Sequence, residues 1–279
     1  MGQQDLHVVF AVDQNYVDAA AVVAHSIGAG LRDTSSRPAF HVIDSGLGAD
    51  GRRFLADALG RVGDVDLYTV PDRLEMATPR KHWTAATLHR LHIGDVVPRD
   101  IGRVIYLDVD TLVLDDLTEL YRYDLAGNTI GAVINEVAPA RVLTLGERAS
   151  LSQTGAKPPG YFNAGVLLID MDRWRAENTT ERSLDIYRTY GKDIPTLDQD
   201  ILNYLYAERW TPVPDKWNKL IEHPVHGRFG SGRLDYLTRR EGIIHFIGGD
   251  KPWGDVFPDN ALRRLYEEYS SVLALTGSS

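Results

Sequence analysis

Short apolar runs alternate with helix-length segments through the first part of the chain: Val8–Val12 then Val17–Leu31, Phe40–Asp44 then Gly51–Leu59, Val65–Val70 then Thr84–Gly94, and then Val104–Leu107. Brief apolar runs read as buried strands and the segments between them as helices. The rhythm therefore predicts an α/β fold, a mostly parallel mixed sheet with helices on both faces. Further strands are expected at Ile130–Ile134, Gly165–Ile169 and Gly242–Ile247, and helices over Asp172–Tyr190 and Gln199–Glu208. One amphipathic helix is expected after Asp259. Two stretches break the rhythm. Ala138–Tyr161, with Gly146, Gly155, Pro158, Pro159 and Gly160, and Pro212–Arg240 read as excursions of a length that usually serves function in a compact domain. There is no internal repeat and no dinucleotide-binding glycine fingerprint.

The run Val104-Ile105-Tyr106-Leu107-Asp108-Val109-Asp110-Thr111 ends a buried-type strand in two carboxylates one residue apart. Ligands of open α/β sheets sit at the carboxyl ends of the strands. There, two hard oxygen donors suit Mg²⁺ or Mn²⁺, which in turn hold phosphate oxygens. Acidic residues also follow strands as turn formers and caps, a role that suits Asp115 and Asp116.

Four other places carry polar groups beside strand or helix ends. Asp13-Gln14-Asn15 follows the first strand and suits either a ligand or a helix cap. Asn163-Ala164-Gly165 allows close backbone approach or simply a tight strand entry. Asp198-Gln199-Asp200 opens a helix and favours its positive end. In His245-Phe246-Ile247-Gly248-Gly249-Asp250-Lys251-Pro252-Trp253 a strand ends in a histidine, a glycine turn and a lysine. A lone histidine is commonly a satisfied core residue. The glycines, however, let backbone N–H groups wrap an anion, Lys251 adds a point charge, Trp253 a flat wall, and His245 could complete a metal shell.

Composition narrows the partners. The 279 residues are 43% hydrophobic, and 30 basic against 39 acidic side chains give a net charge of −9 and a pI near 5.5. That balance excludes nucleic acid as the main partner, and phosphate binding then requires a metal or local cations. The absence of cysteine excludes disulfides and thiolate chemistry. No basic, apolar leader precedes Leu6–Val12, and no run reaches the roughly 18 apolar residues of a spanning helix. The expectation is a soluble, cytoplasmic protein without an integral membrane segment. No Gly-x-Ser-x-Gly elbow or His-Glu-x-x-His helix is present, against a hydrolase. A rival remains: Asp108-Val109-Asp110-Thr111 also describes a haloacid-dehalogenase-like phosphatase, with the first aspartate as nucleophile. That class leaves Asn163–Leu168 and the His245 loop without a role.

Five motifs in order bear on the family: Phe10-Ala11-Val12-Asp13-Gln14-Asn15-Tyr16, Tyr106 through Asp110, Tyr161-Phe162-Asn163-Ala164-Gly165-Val166-Leu167-Leu168, Leu197-Asp198-Gln199-Asp200-Ile201-Leu202-Asn203, and His245 through Trp253. From about Val8 to Trp253 the chain resembles the family 8 retaining glycosyltransferases, which include bacterial lipooligosaccharide α-galactosyltransferases and, more distantly, glycogenin. The resemblance implies a Rossmann-like GT-A fold in a single domain over 1–279, with a nucleotide-binding half at about 1–112, an acceptor-side half at about 113–260 and a C-terminal helix at about 260–275. It implies transfer of a hexose from UDP-galactose or UDP-glucose, with Mn²⁺, or Mg²⁺ in its place, at the diphosphate. Carried over, Asp108, Asp110 and His245 bind the metal. Asp13 and Asn15 hold the uridine, and Ala11, Tyr16, Val109 and Ala164 also belong to the donor-binding set. Gly248 and Lys251 hold the diphosphate. Arg90, Asn163, Asp198 and Gln199 surround the donor sugar, and His82 faces the acceptor. Gln199, Asp198 and Lys251 are the expected catalytic residues.

Cleavage of the bond from anomeric carbon to phosphate builds negative charge on UDP, which a divalent ion and Lys251 offset. No isolated carboxylate stands out as a nucleophile, and the amide of Gln199 is a poor one, so attack from the leaving-group face is expected, with a phosphate oxygen taking the acceptor proton. Asn135, Thr196 and Ile247 stand where the galactosyltransferase relatives have aspartate, tyrosine and cysteine, which leaves the carbohydrate or small-molecule hydroxyl acceptor open. The neutral end of the chain lacks a basic, aromatic membrane-docking tail, so a soluble acceptor is expected. A self-glycosylating primer of the glycogenin kind, with a tyrosine as acceptor, is the alternative from another class. A homodimer is the default expectation for assembly.

Overall fold

A computed structural model describes residues 6–33, 35, 37–70, 85–135, 160–191, 194, 196–207, 209–221 and 231–276. Within them the strands are β1 His7–Val12, β2 Ala39–Asp44, β3 Asp64–Thr69, β4 Arg103–Leu107, β5 Thr111–Val113, β6 Ile130–Ile134, β7 Phe162–Asp170, β8 Trp210–Pro212, β9 Lys219–Ile221 and β10 Ile243–Phe246. The helices are α1 Val17–Gly30, α2 Ala49–Gly60, α3 Ala85–His89, α4 Ile93–Val96, α5 Thr118–Tyr121, α6 Met171–Ala176, α7 Thr179–Tyr190, α8 Leu197–Tyr206, α9 Ser231–Thr238 and α10 Ala261–Thr276.

Seven strands form a sheet in the order β3-β2-β1-β4-β7-β6-β8, parallel throughout except that β7 runs against both β4 and β6. The period-two alternation of a strand assigns its side chains to opposite faces. Val8, Phe10 and Val12 of β1 and Ile105 and Leu107 of β4 pack with Ala20, Val23 and Ile27 of α1 and Leu55 and Leu59 of α2. Val9 and Ala11, with Val104 and Tyr106, pack on the other face against Leu88 and Leu91, Trp174, Leu184, Ile201 and Leu202. Burying each such aliphatic side chain contributes about 1.5–3 kcal/mol, so both faces hold the sheet.

Several expected elements differ from those observed. The helix expected over Thr84–Gly94 is interrupted by a 3₁₀ turn at Arg90–His92, where the Arg90 side chain turns inward and donates to the Thr87 carbonyl at 3.2 Å and the Ala164 carbonyl at 2.9 Å. The single helix expected over Asp172–Tyr190 is two, because Asn178 adopts a left-handed backbone (φ 51°) that asparagine tolerates better than most residues. The excursion Pro212–Arg240 carries a 3₁₀ turn at Asp215–Asn218, β9 and α9. Most of the other excursion, 136–159, lies outside the described residues.

The strand expected over Gly242–Ile247 is not in the main sheet. As β10 it is the centre of a three-stranded sheet, antiparallel to β5 and parallel to β9. Lys219 of β9 is buried and donates its ammonium to the carbonyls of Leu237 (3.2 Å) and Arg239 (3.0 Å), at the C-terminal end of α9, where a cation is favoured. Burial pulls its pKa down to about 8. Gly242 admits the chain to β10 at φ 64°, and a Cβ there would lie 1.9 Å from the Lys216 carbonyl oxygen. Gly242→Ala is therefore expected to lower the unfolding free energy by at least about 1–2 kcal/mol, the cost of a left-handed non-glycine residue alone. Urea denaturation followed by circular dichroism measures it; an unchanged midpoint would contradict this account of the small sheet.

Candidate active site

Antiparallel pairing sets His245 of β10 opposite Thr111 of β5, and the Phe246 N–H donates to the Asp110 carbonyl at 2.9 Å. A histidine distant in sequence thus meets the two carboxylates that end β4. Its Nε2 lies 3.2 Å from Asp110 Oδ1 and 3.8 Å from Asp108 Oδ2. One donor atom each from Asp108, Asp110 and His245 lie within 4.8 Å of one another, a set that could hold a divalent ion. Oxygen and imidazole donors of this kind suit a hard or borderline metal. Gly165 on β7 makes room: a Cβ there would lie 2.2 Å from His245 Cε1 and 2.7 Å from Asp108 Oδ2.

Cations offset the two acids. Lys251 Nζ is 2.5 Å from Asp110 Oδ2 and donates also to the Phe246 carbonyl at 2.6 Å. Burial works against the Asp110 carboxylate, but Lys251 and His245 together hold its pKa far below the usual carboxylate range. Buried Arg90 bridges Asp108 (2.7 Å) and Asp198 (2.9 Å) and stands over the Tyr106 ring at 4.7 Å. Burial pushes the Asp198 carboxyl up to about 7 against the pull of Arg90. The Tyr106 hydroxyl donates to Asp108 at 2.8 Å, and burial raises its pKa well above the ordinary value. Tyr16, packed edge-on against Trp253, is pushed up to about 12 by burial and by Asp110, Asp13 and Asp108.

A second set of groups joins this one through amides. Gln199 Oε1 accepts from the Ala164 N–H (3.1 Å) and Asn163 Nδ2 (3.0 Å), while its Nε2 donates to the Tyr161 hydroxyl (2.8 Å). That hydroxyl donates on to Asp200 at 2.8 Å. Asp200 also accepts from the Thr196 N–H at 2.8 Å, which closes the first turn of α8. Asn218 Nδ2 donates to Asn163 Oδ1 at 2.8 Å, and its Oδ1 lies 3.0 Å from His245 Nδ1.

The remaining expected site residues fall as follows. Asp13 Oδ1 accepts from the Asn15 N–H at 2.8 Å, the cap reading, while its Oδ2 is buried without a partner among the described residues. Ala11 and Val109 bury their side chains in the two cores and can offer a ligand only backbone groups. Gly248 takes φ 82° at an exposed turn, as a glycine loop requires. Asn135 donates its N–H to the Tyr161 carbonyl at 2.7 Å, and Thr196 Oγ1 lies 3.0 Å from the Tyr161 hydroxyl, so both gather at one tyrosine. Ile247 follows β10 and is partly buried. His82 lies outside the described residues. Asn218 was not anticipated: it lies within an excursion read as irregular, and no local pattern marks it. Tyr161 stood in a motif without being marked as an interaction centre.

A seven-stranded, mostly parallel sheet whose carboxyl edge carries an Asp-x-Asp pair, with helices on both faces, is the architecture of a GT-A glycosyltransferase. The galactosyltransferase LgtC, solved in complex with donor and acceptor sugar analogues, superimposes with a TM-score of 0.75 at 28% identity over 96% of each chain. The sequence model of Glycosyl transferase family 8 matches residues 7–256, and the chain belongs to that family. General stress protein A of Bacillus subtilis is 29% identical over 97% of this chain and 94% of its own length. The lipopolysaccharide 1,3-galactosyltransferase of Salmonella typhimurium is 28% identical over 88% of this chain and 72% of its own. Family membership sets aside the phosphatase reading of the Asp-x-Asp. Among the described residues, no helix is long and apolar enough to cross a membrane.

Because Gly165 leaves the space that His245 and Asp108 occupy, Gly165→Ala is expected to displace both. A misplacement near 1 Å at reacting groups costs on the order of 100-fold in rate. Glycosyl transfer by this variant should fall by about that factor while its circular dichroism stays that of the wild type. Undiminished transfer would show that the close approach at Gly165 is not needed.

Proposed function

We propose that this glycosyltransferase is a retaining, Mn²⁺-dependent hexosyltransferase that moves galactose or glucose from its UDP-sugar to a hydroxyl acceptor. The observation that carries the reading is the convergence of Asp108, Asp110 and His245 beside Lys251 and Arg90. Relatives named as lipopolysaccharide galactosyl- and glucosyltransferases support the choice of hexose. The donor set fits the ion: two carboxylates and one imidazole, with Gly165 leaving the space they need. Mn²⁺, or Mg²⁺ in its place, supplies Lewis-acid stabilisation to the departing diphosphate.

The chain's own residues do the rest. Asp13 and Asn15, with Tyr16 and the backbone at Ala11 and Val109, receive the uridine, and the buried unpaired Asp13 Oδ2 fits a donor from the base. Lys251 leaves Asp110 for the diphosphate, which it holds with Gly248, and offsets its charge. Arg90, Asp198, Asn163 and Ala164 frame the hexose. Gln199 presents an amide whose oxygen already accepts two hydrogen bonds, which disfavours it as a nucleophile and leaves an N–H for the sugar. Retention then follows from same-face attack, the acceptor proton passing to a phosphate oxygen. Thr196, Asn135 and Ile247 line the acceptor side. The cysteine-free chain fits a single-domain cytoplasmic enzyme, with a homodimer the simplest assembly.

The test is UDP release by purified protein across UDP-hexoses with Mn²⁺. Slow release from one donor is expected, abolished by chelation and reduced by at least about 100-fold in Asp108→Ala and Asp110→Ala, both still folded. Release that survives chelation, or near-wild-type release by either variant, would overturn the metal assignment. Intact mass after the same incubation should stay unchanged; a ladder of hexose additions would shift the reading to a self-glycosylating primer.

A further inference from the structure

We propose that Asn218 is a positioning residue of the metal centre, which fixes the His245 imidazole with its proton on Nδ1 and its Nε2 turned to the metal. The inference rests on the metal reading above. Two backbone donors fix the direction of the hydrogen bonds here. The Gly165 N–H donates to Asn163 Oδ1 at 2.9 Å, so that atom is an acceptor. The Ala164 N–H donates to Gln199 Oε1, and Asn163 Nδ2 donates to the same oxygen, which agrees with that orientation of the Asn163 amide.

The side-chain nitrogen of Asn218 must then face Asn163 Oδ1, and its oxygen must face His245 Nδ1, 3.0 Å away. A carbonyl oxygen only accepts, so Nδ1 carries the hydrogen. The Nε2 atom, which faces Asp110 and Asp108, is left as the ligand atom. Asn218 is 2% exposed and His245 3%, so water does not supply a substitute acceptor. The same amide that sets the imidazole also holds Asn163, and through it Gln199, so one residue ties the metal side of the site to the donor-sugar side.

Two measurements test this on the full chain. Free Mn²⁺ is titrated by electron paramagnetic resonance in the presence of UDP for wild type, Asn218→Leu and Asn218→Asp. Leucine removes the acceptor and should weaken Mn²⁺ binding about 10–100-fold, the usual effect of losing such an outer partner. Aspartate keeps an oxygen against Nδ1 but loses the donor to Asn163 Oδ1, so it should bind Mn²⁺ more tightly than Asn218→Leu, a difference that a role confined to holding Asn163 would not produce. Wild-type binding together with unaltered affinity in Asn218→Leu, or equal losses in both variants, would overturn the role of Asn218 alone. Failure of the wild-type chain to bind Mn²⁺ with UDP would overturn the metal reading and this inference with it. Where Asn218→Leu does not fold, the wild type decides: ¹⁵N imidazole shifts of His245 should show a protonated Nδ1 with and without Mg²⁺, and an unprotonated Nδ1 would overturn the assignment.

Discussion

Two carboxylates that stand within a few ångströms of each other under a buried sheet edge must be neutralised, and the rest of the site follows from that constraint. Breaking a buried ion pair by removing one partner typically costs several kcal/mol, so the cations near Asp108 and Asp110 are structural as well as chemical. Arg90 reaches Asp108 only because α3 gives way to a 3₁₀ turn, and it also takes up Asp198 at the start of α8. Lys251 reaches Asp110 because Gly248 turns the loop after β10. His245 meets both acids because a short second sheet carries it there. Each of these elements is placed by packing and used for charge.

Six of the seven strands of the large sheet and the helices on both its faces were legible from the alternation of apolar runs and helical segments, since strands buried on both faces produce continuous apolar stretches; the three-residue β8 was not. The Asp108/Asp110 pair and the His245–Lys251 segment were legible as strand ends rich in polar groups. Their juxtaposition was not, because it depends on the pairing of β10 with the three-residue β5. A strand that short carries no periodicity of its own, nor does β9, and both were missed. The break at Asn178 was invisible for a related reason: helical spacing continues across it, and only the left-handed conformation of one asparagine divides the segment.

Amide groups were the least legible part of the site. Asn163 and Gln199 were picked out by the residues around them, whereas Asn218, which lies between His245 and Asn163, has no neighbouring pattern. Uncharged hydrogen-bonding residues mark a sequence weakly, since any loop contains them. Only folded geometry shows that both ends of the Asn218 side chain are used. Asn135 and Thr196, set apart in the sequence by their departure from the family pattern, both approach Tyr161, whose hydroxyl also contacts Gln199 and Asp200. Residues proposed for the acceptor side and for the donor side therefore meet at one tyrosine.

The proposed function puts one divalent ion between the end of β4 and the end of β10. Its most direct test is anomalous diffraction at the manganese edge from crystals grown with Mn²⁺ and UDP. A single strong peak is expected in bonding contact with the carboxylates of Asp108 and Asp110 and with Nε2 of His245, with Lys251 turned from Asp110 to the diphosphate. UDP bound at the sheet edge with no anomalous peak among these three residues, in a preparation that transfers sugar, would contradict it.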